Sequence, residues 1–324
     1  MKIGILGTGA YATALATSSR HNNHDVMMWT KFIEERDYIL KNKEAKTLPG
    51  FKIDENIAIT NDLKECITDK DLIIIAIPAA FIDDLCLSLK NIVSGKEHFC
   101  IATKGIEQET GLFIHEILEK YIDTENIAVI SGPSFAVDIV SKNPCGLTLA
   151  SKTKETSKRV RLALSSDYMK LRETNDIIGT EICGSIKNVI ALASGIIAGV
   201  GGNDSTRAML LTEAIHDMKT IIDAFDGFPN TVLSYAGFGD LLLTCTSYKS
   251  RNYTYGFLLG SSKSKEELEE YRKNNTVEGF YTAKSIYKLL KNKKVNVPII
   301  DLIYNISIQE ENPKEIFNFL IKKV

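Results

Sequence analysis

The chain has 324 residues, of which 44% are hydrophobic and 25% charged, and its net charge is −2. That length exceeds one ordinary core, so two domains are expected in a soluble globular protein. The charge balance excludes a general attraction to nucleic acid or to an acidic membrane surface, so any anion must meet a local site.

The first residues, MKIGILG, run directly into a strand-like pattern, and no signal or transit peptide is expected. Strands are predicted at Lys2–Leu6, Asp25–Trp29, Leu72–Ile77, His98–Ala102, Ile127–Ser131 and Gly146–Ala150. LIIIAI and IAVIS are continuous apolar runs, as expected of parallel strands covered on both faces. Amphipathic helices are predicted between them, among them Ala12–Arg20 and Ile82–Leu89. The alternation predicts an α/β, Rossmann-like doubly wound parallel sheet.

GTGAYA, residues 7–12, sits at the first strand-to-helix turn. Gly7 makes the tight turn, Gly9 lets backbone approach a pyrophosphate, and Ala12 takes the third small position. The helix start then offers N–H groups and positive dipole to phosphates. An acid that bonds the ribose hydroxyls is expected at the end of the second strand. That strand ends Trp29-Thr30-Lys31, with no carboxylate until Glu34. Lys31 suits a 2′-phosphate, so both NADP and NAD are expected as cofactors, with NADPH preferred.

Near residues 176–180 the character changes, and an all-α domain is expected to follow: 1–178 for the dinucleotide, 179–324 helical. The run EICGSIKNVIALASGIIAGVG (181–201) predicts a helix buried on most faces, with Lys187 and Asn188 near its start. An unpaired buried ammonium is costly, so Lys187 either snorkels to water or has partners and a function. The apolar stretch 189–201 falls short of the ~20 residues that span a bilayer. SSKSKEELEEYRKNN (261–275) reads as a solvated helix without chemistry.

Further clusters are ATKGIE (102–107), which places Lys104 just past a strand, SGPSFA (131–136) and GFGDLLLTCTSYKSRN (237–252). Taken singly, each has an ordinary explanation as a surface lysine, a helix cap or a polar loop. The cysteines Cys66, Cys86, Cys100, Cys145, Cys183 and Cys245 form no CxxC pair, and a reducing, cytoplasmic compartment without disulfides is expected. Cys183 and Cys245 lie close to the candidate cluster in sequence, where buried inert thiols are expected. The histidines His21, His24, His98, His115 and His216 show neither metal-ligand spacing nor a recognisable acid–base partner, and no metal is expected.

Together, KGIE, SGPSFA, EICGSIKNVIA, GDLLLTCTS, SRN and VEG resemble the bacterial-type NAD(P)-dependent glycerol-3-phosphate dehydrogenases, in order and approximate spacing from Lys2 to about Ile300. The resemblance implies interconversion of dihydroxyacetone phosphate and sn-glycerol 3-phosphate, a step toward glycerophospholipids, by a cytoplasmic homodimer. It implies Lys187 as proton donor and acceptor, Lys104 beside the substrate oxygens, and Asp240 balancing the lysines. Substrate contacts would come from Lys104, Gly132, Ser134, Asn188, Thr244, Ser250, Arg251 and Asn252. Cofactor contacts would come from Gly7, Gly9, Ala10, Tyr11, Ala12, Lys31, Lys104, Ala136, Arg251 and Glu278. A lysine with its pKa lowered from ~10.4 toward ~7–8 by burial beside a second ammonium suits proton transfer.

Three positions depart from the family pattern: Glu213 where an arginine or other non-acidic residue is expected, Tyr11 in place of another aromatic, and the loop GVGGNDST (199–206). A β-hydroxyacid or 6-phosphogluconate dehydrogenase relative is the alternative enzyme, though there the lysine and asparagine are spaced KxxN rather than adjacent. A dinucleotide sensor without turnover is the alternative outside catalysis.

Overall fold

In the computed structural model, which describes residues 1–108 and 110–322, the chain forms two compact units. The first comprises Met1–Lys104 with Ile114–Ile177, and the second Gly105–Phe113 with Ile178–Val324.

The first unit is an eight-stranded sheet with helices between its strands. Along the chain run β1 (Lys2–Leu6), α1 (Ala10–His21), β2 (Asp25–Trp29), α2 (Ile33–Asn42), β3 (Ile57–Thr60), α3 (Leu63–Ile67), β4 (Leu72–Ile75) and α4 (Ile82–Leu89). They are followed by β5 (Phe99–Ile101), α5 (Ile114–Tyr121), β6 (Ile127–Ser131), α6 (Ala136–Val140), β7 (Cys145–Ser151), α7 (Lys154–Leu164) and β8 (Met169–Thr174). The spatial order is β3-β2-β1-β4-β5-β6-β7-β8. Strands β1 to β6 pair in parallel, and the order reverses beside β1, which is where open α/β sheets bind ligands. All four residues of β4 are buried, as its uninterrupted apolar sequence requires of a strand covered on both faces.

The expected all-parallel sheet needs one correction. Strand β7 runs antiparallel to β6, with β8 parallel to β7 beyond it. The sheet is therefore mixed, since apolar periodicity carries no information about strand direction. Two strands, β3 and β8, were absent from the expected set. The first has only four residues, and the second, MKLRET, is an edge strand with mostly polar, outward-facing side chains.

The second unit holds α8 (Ile177–Gly199), α9 (Asp204–Ala224), α10 (Asp240–Thr246), α11 (Arg251–Gly260), α12 (Lys265–Asn274), α13 (Glu278–Lys293), α14 (Pro298–Ile308) and α15 (Glu315–Lys322). The segment Gly105–Phe113 groups with these helices because Ile106 and Phe113, joined by an antiparallel bridge, bury their side chains in the helical core.

Helix α8 is the centre of that core. By length and composition it would cross a membrane, but 89% of its most apolar window is buried inside the molecule, which makes it a core helix. It meets α11 at near-contact of backbones. A Cβ on Gly195 would stand 2.0 Å from the Tyr253 carbonyl oxygen, and one on Gly256 would stand 2.1 Å from that of Leu192. Only glycine allows this approach, and it brings the start of α11 beside the middle of α8.

Helix α12 is solvated, as expected, and starts on a Ser264–Glu267 capping box. Its inner face nevertheless holds α11, because the Tyr271 ring stacks on Tyr255 and its hydroxyl donates to the Arg251 carbonyl oxygen at 3.4 Å.

Candidate functional site

The turn after β1 is built by backbone. Gly7 has φ +131°, its N–H donates to the Trp29 carbonyl at 2.9 Å, and a Cβ there would lie 2.5 Å from the Ala76 carbonyl oxygen. A Cβ on Gly9 would meet no atom within 4 Å, so the loop is open on that side. Gly9 is also the N-cap of α1, where no side chain caps the helix and no acidic residue occupies the first turn. Ala10 opens the helix, and Ala12 is fully buried against the sheet. Free N–H groups, positive dipole and an unobstructed approach are what a pyrophosphate needs. These residues fit a dinucleotide.

A polar group from three loops adjoins this turn in the first unit. The Tyr11 hydroxyl bonds the Ser134 hydroxyl at 3.1 Å, and Ser134 Oγ donates to the Gly132 carbonyl at 3.1 Å. Lys104 Nζ donates to that same carbonyl at 3.3 Å and stands 5.7 Å from the centre of the Tyr11 ring. Lys104, Gly132, Ser134 and Tyr11, expected separately from sequence, are therefore neighbours. Ala136 is the first residue of α6, just past them.

Lys31 is exposed at the end of β2. Sequence reasoning passed over its neighbour Glu35, whose carboxylate folds back to accept from the Thr30 hydroxyl at 2.7 Å. A carboxylate thus does lie near the strand end, held by the residue before Lys31. Two exposed aromatics were also overlooked, Phe32 (60% exposed) after β2 and Phe81 (57%) after β4. Both follow strands that flank β1, and exposed aromatic faces there suit a base or nicotinamide ring. The signal available was an aromatic a few residues past a predicted strand.

In the second unit Lys187 lies well inside α8 rather than near its start, and its side chain is buried rather than extended to the surface. Lys187 Nζ donates to Asp240 Oδ1 at 2.6 Å and to Thr244 Oγ1 at 3.1 Å, with the lysine side chain 8% exposed and the aspartate 2%. Thr244 in turn donates to the Asp240 carbonyl at 2.6 Å. Asp240 opens α10 directly after a π-helical turn at Tyr235–Gly239, an irregularity frequent at functional sites. The buried ammonium thus has the carboxylate partner that its removal from water requires.

A second group adjoins it. Asn252 Nδ2 donates to Asn188 Oδ1 at 3.0 Å, Asn252 Oδ1 accepts from the Gly279 N–H at 2.9 Å, and Asn188 Nδ2 donates to Glu278 Oε2 at 3.3 Å. Ser250 is the N-cap of α11, accepting from the Tyr253 N–H at 3.2 Å. Arg251, the first residue of that helix, is exposed.

All five cysteines other than Cys145 are buried. Burial pushes the Cys66 and Cys86 thiols up to about 12 and raises Cys245 as well, which keeps them as unreactive thiols at neutral pH. Among the described residues no three His, Cys, Asp or Glu side chains gather where a metal ion would sit.

Two family models match the chain. The N-terminal model of NAD-dependent glycerol-3-phosphate dehydrogenase covers residues 2–157, and the C-terminal model covers 176–318. The chain belongs to that family. Glycerol-3-phosphate dehydrogenase, NAD(P)+, of Staphylococcus epidermidis is 36% identical over 313 residues, covering 95% of this chain and 94% of that one. The Staphylococcus aureus protein of the same name is 36% identical over 329 residues, covering 99% and 98%. A crystal structure of glycerol-3-phosphate dehydrogenase from Coxiella burnetii superposes with TM-score 0.93 at 28% identity, covering 99% of each chain. As a member of the glycerol-3-phosphate dehydrogenase family the chain uses NAD or NADP, and the cradle at Gly7–Ala12 fits that cofactor. Of the three departures from the family pattern, Tyr11 keeps an aromatic ring at its position. The 199–206 loop forms the α8–α9 connection, with Asn203 capping α9. Nothing in the structure explains Glu213.

Proposed function

We propose that this chain reversibly transfers hydride between NAD(P)H and dihydroxyacetone phosphate, giving sn-glycerol 3-phosphate. The observation that carries the reading is the buried Lys187–Asp240–Thr244 group, a fixed cation on α8 held by two side chains of α10. The nicotinamide, when bound, supplies or takes the hydride.

Lys187 holds a proton at Nζ and passes it to the substrate oxygen, whose developing negative charge the ammonium also stabilises. Asp240 keeps that ammonium charged and aimed, and Thr244 fixes a second of its N–H bonds. Lys104, oriented by the Gly132 carbonyl and the Tyr11 ring, adds positive charge for the substrate oxygens. Arg251 offers a planar fork of donors to the phosphate and a contact to the cofactor. Asn188, Ser250 and Asn252 complete the substrate contacts with Gly132 and Ser134. Gly7, Gly9, Ala10, Tyr11, Ala12, Lys31, Ala136 and Glu278 hold the dinucleotide. Residues 1–178 act as the NAD(P)-binding domain, and 179–324 as the substrate-binding and dimerisation domain.

Lys31 favours a 2′-phosphate, so NADPH is the preferred cofactor, with Glu35 the opposing influence. The protein acts in the cytoplasm as a homodimer, and its product supplies the backbone of glycerophospholipids. The test follows nicotinamide absorbance after dihydroxyacetone phosphate is added with NADPH, then with NADH. Loss of signal, faster with NADPH, is expected. No loss with either cofactor, or turnover of gluconate 6-phosphate or 3-hydroxyisobutyrate instead, would overturn the assignment.

A further inference from the structure

The amide group beside the lysine has a fixed polarity. The Gly279 N–H can only donate, so the Asn252 atom facing it is oxygen. That turns Asn252 Nδ2 toward Asn188, which must present its own oxygen, and leaves Asn188 Nδ2 facing the Glu278 carboxylate. One backbone donor thus sets the direction of every bond from Gly279 through Asn252 and Asn188 to Glu278. The circuit starts and ends on adjacent residues of α13 and clasps its first turn to α8 and α11. Helix α13 has no side-chain cap of its own at Val277, so Asn252 supplies the cap from another helix. There is no slack in the clasp, because a Cβ on Gly279 would stand 2.3 Å from the Asn188 carbonyl oxygen and 3.0 Å from Asn252 Oδ1.

We propose that Asn252 is a positioning residue for the cofactor, orienting the Glu278 carboxylate through Asn188 before any substrate binds. The inference rests on the reading of Glu278 as a cofactor contact and deepens it. A residue that only touched substrate phosphate would leave cofactor affinity alone.

In Asn252→Asp the new carboxylate still accepts from Gly279, but its second oxygen faces the Asn188 oxygen. Asn188 must turn its amide over and present oxygen to Glu278, so the clasp at 278 is lost. Glu278→Gln in the same chain restores a donor there and closes the circuit with reversed polarity.

The experiment measures NADPH dissociation constants by nicotinamide fluorescence with no phosphorylated ketone or alcohol present, on the full chain, with melting curves as a check on folding. N252D is expected to weaken NADPH about tenfold, the loss of one hydrogen bond to a charged group. E278Q is expected to weaken it severalfold, and the double variant to bind no worse than E278Q alone. If N252D binds normally while E278Q is weakened, the inference falls and the cofactor role of Glu278 stands. If E278Q binds normally, that role fails and takes the inference with it. If the double variant shows the two losses simply added, Asn252 acts by some other route and the inference is overturned. Should N252D not fold, Asn188→Asp sets a carboxylate against Glu278 and gives the same reading, with rescue by E278Q expected.

Discussion

The turn at residues 7–12 and the cluster around Lys187 are made from different parts of the peptide. The turn works by backbone and by the absence of side chains: a positive φ at Gly7, an open face at Gly9, uncapped N–H groups on α1. Its residues are consecutive. The cluster works by side chains that meet only in the fold, Lys187 with Asp240 and Thr244 across separations of 53 and 57 positions. A site of the first kind is damaged by adding atoms, and one of the second kind by removing them or by changing their charge.

That contrast is open to attack at the cluster first. Asp240→Asn keeps the shape but leaves a buried ammonium without its counter-charge. Breaking a buried pair this way costs about 3–5 kcal/mol, read as a large fall in melting temperature, and turnover is expected to fall by about 10²-fold or more. Lost stability with normal turnover would make the pair a structural one.

Adding one methyl at the turn is the converse experiment. Gly7→Ala forces a side chain into φ +131° and against the Ala76 carbonyl. Strain of about 1–3 kcal/mol is expected, together with NADPH binding weakened about tenfold in a fluorescence titration. Unchanged affinity would mean that the turn does not carry the pyrophosphate.

A smaller effect belongs to the end of β2, where both kinds of chemistry meet. Lys31→Glu is expected to move the NADPH-to-NADH ratio of kcat/KM about tenfold toward NADH, or ~1.4 kcal/mol. Glu35→Gln is expected to move it the other way. No movement in either variant would place the 2′-phosphate elsewhere.

The smallest effect lies away from both regions. Burial first, then the Arg159 guanidinium, holds the His98 imidazole below its usual 6.5. The unfolded chain then takes up the proton before the folded one, so stability present at neutral pH declines as pH falls below 6.5 through the depressed value. Melting curves between about pH 7.5 and pH 5 should show this loss, and His98→Asn should flatten it. An unchanged slope would assign the acid sensitivity to other groups.

How much of this was legible beforehand follows from the same contrast. Strands β1, β2 and β6 and helix α4 are written in local apolar patterns and occupy the expected residues. The glycine loop is local too, and its backbone geometry accords with its spacing. Strand β8 was not legible, because an edge strand in which Met169 alone is buried has no apolar signature. Nor was the reversal at β7, since periodicity does not encode direction. The buried carboxylate beside Lys187 came only with the family resemblance, as no residue near position 187 points to position 240. Glu35 was missed because its side chain turns back on Thr30, which spacing along the chain does not show. The amide circuit was invisible for a further reason: Asn188, Asn252 and Glu278 sit on three helices whose crossing depends on glycine contacts.

The most direct measurement compares Lys187→Met with the unaltered chain, following NADPH oxidation by dihydroxyacetone phosphate while melting temperature and NADPH affinity are measured on the same samples. The account predicts a fall in turnover of about 10²–10⁴-fold in a protein that still folds and binds NADPH normally, with a melting temperature lowered because the Asp240 carboxylate loses its buried partner. Near-normal turnover by a folded Lys187→Met protein would contradict it.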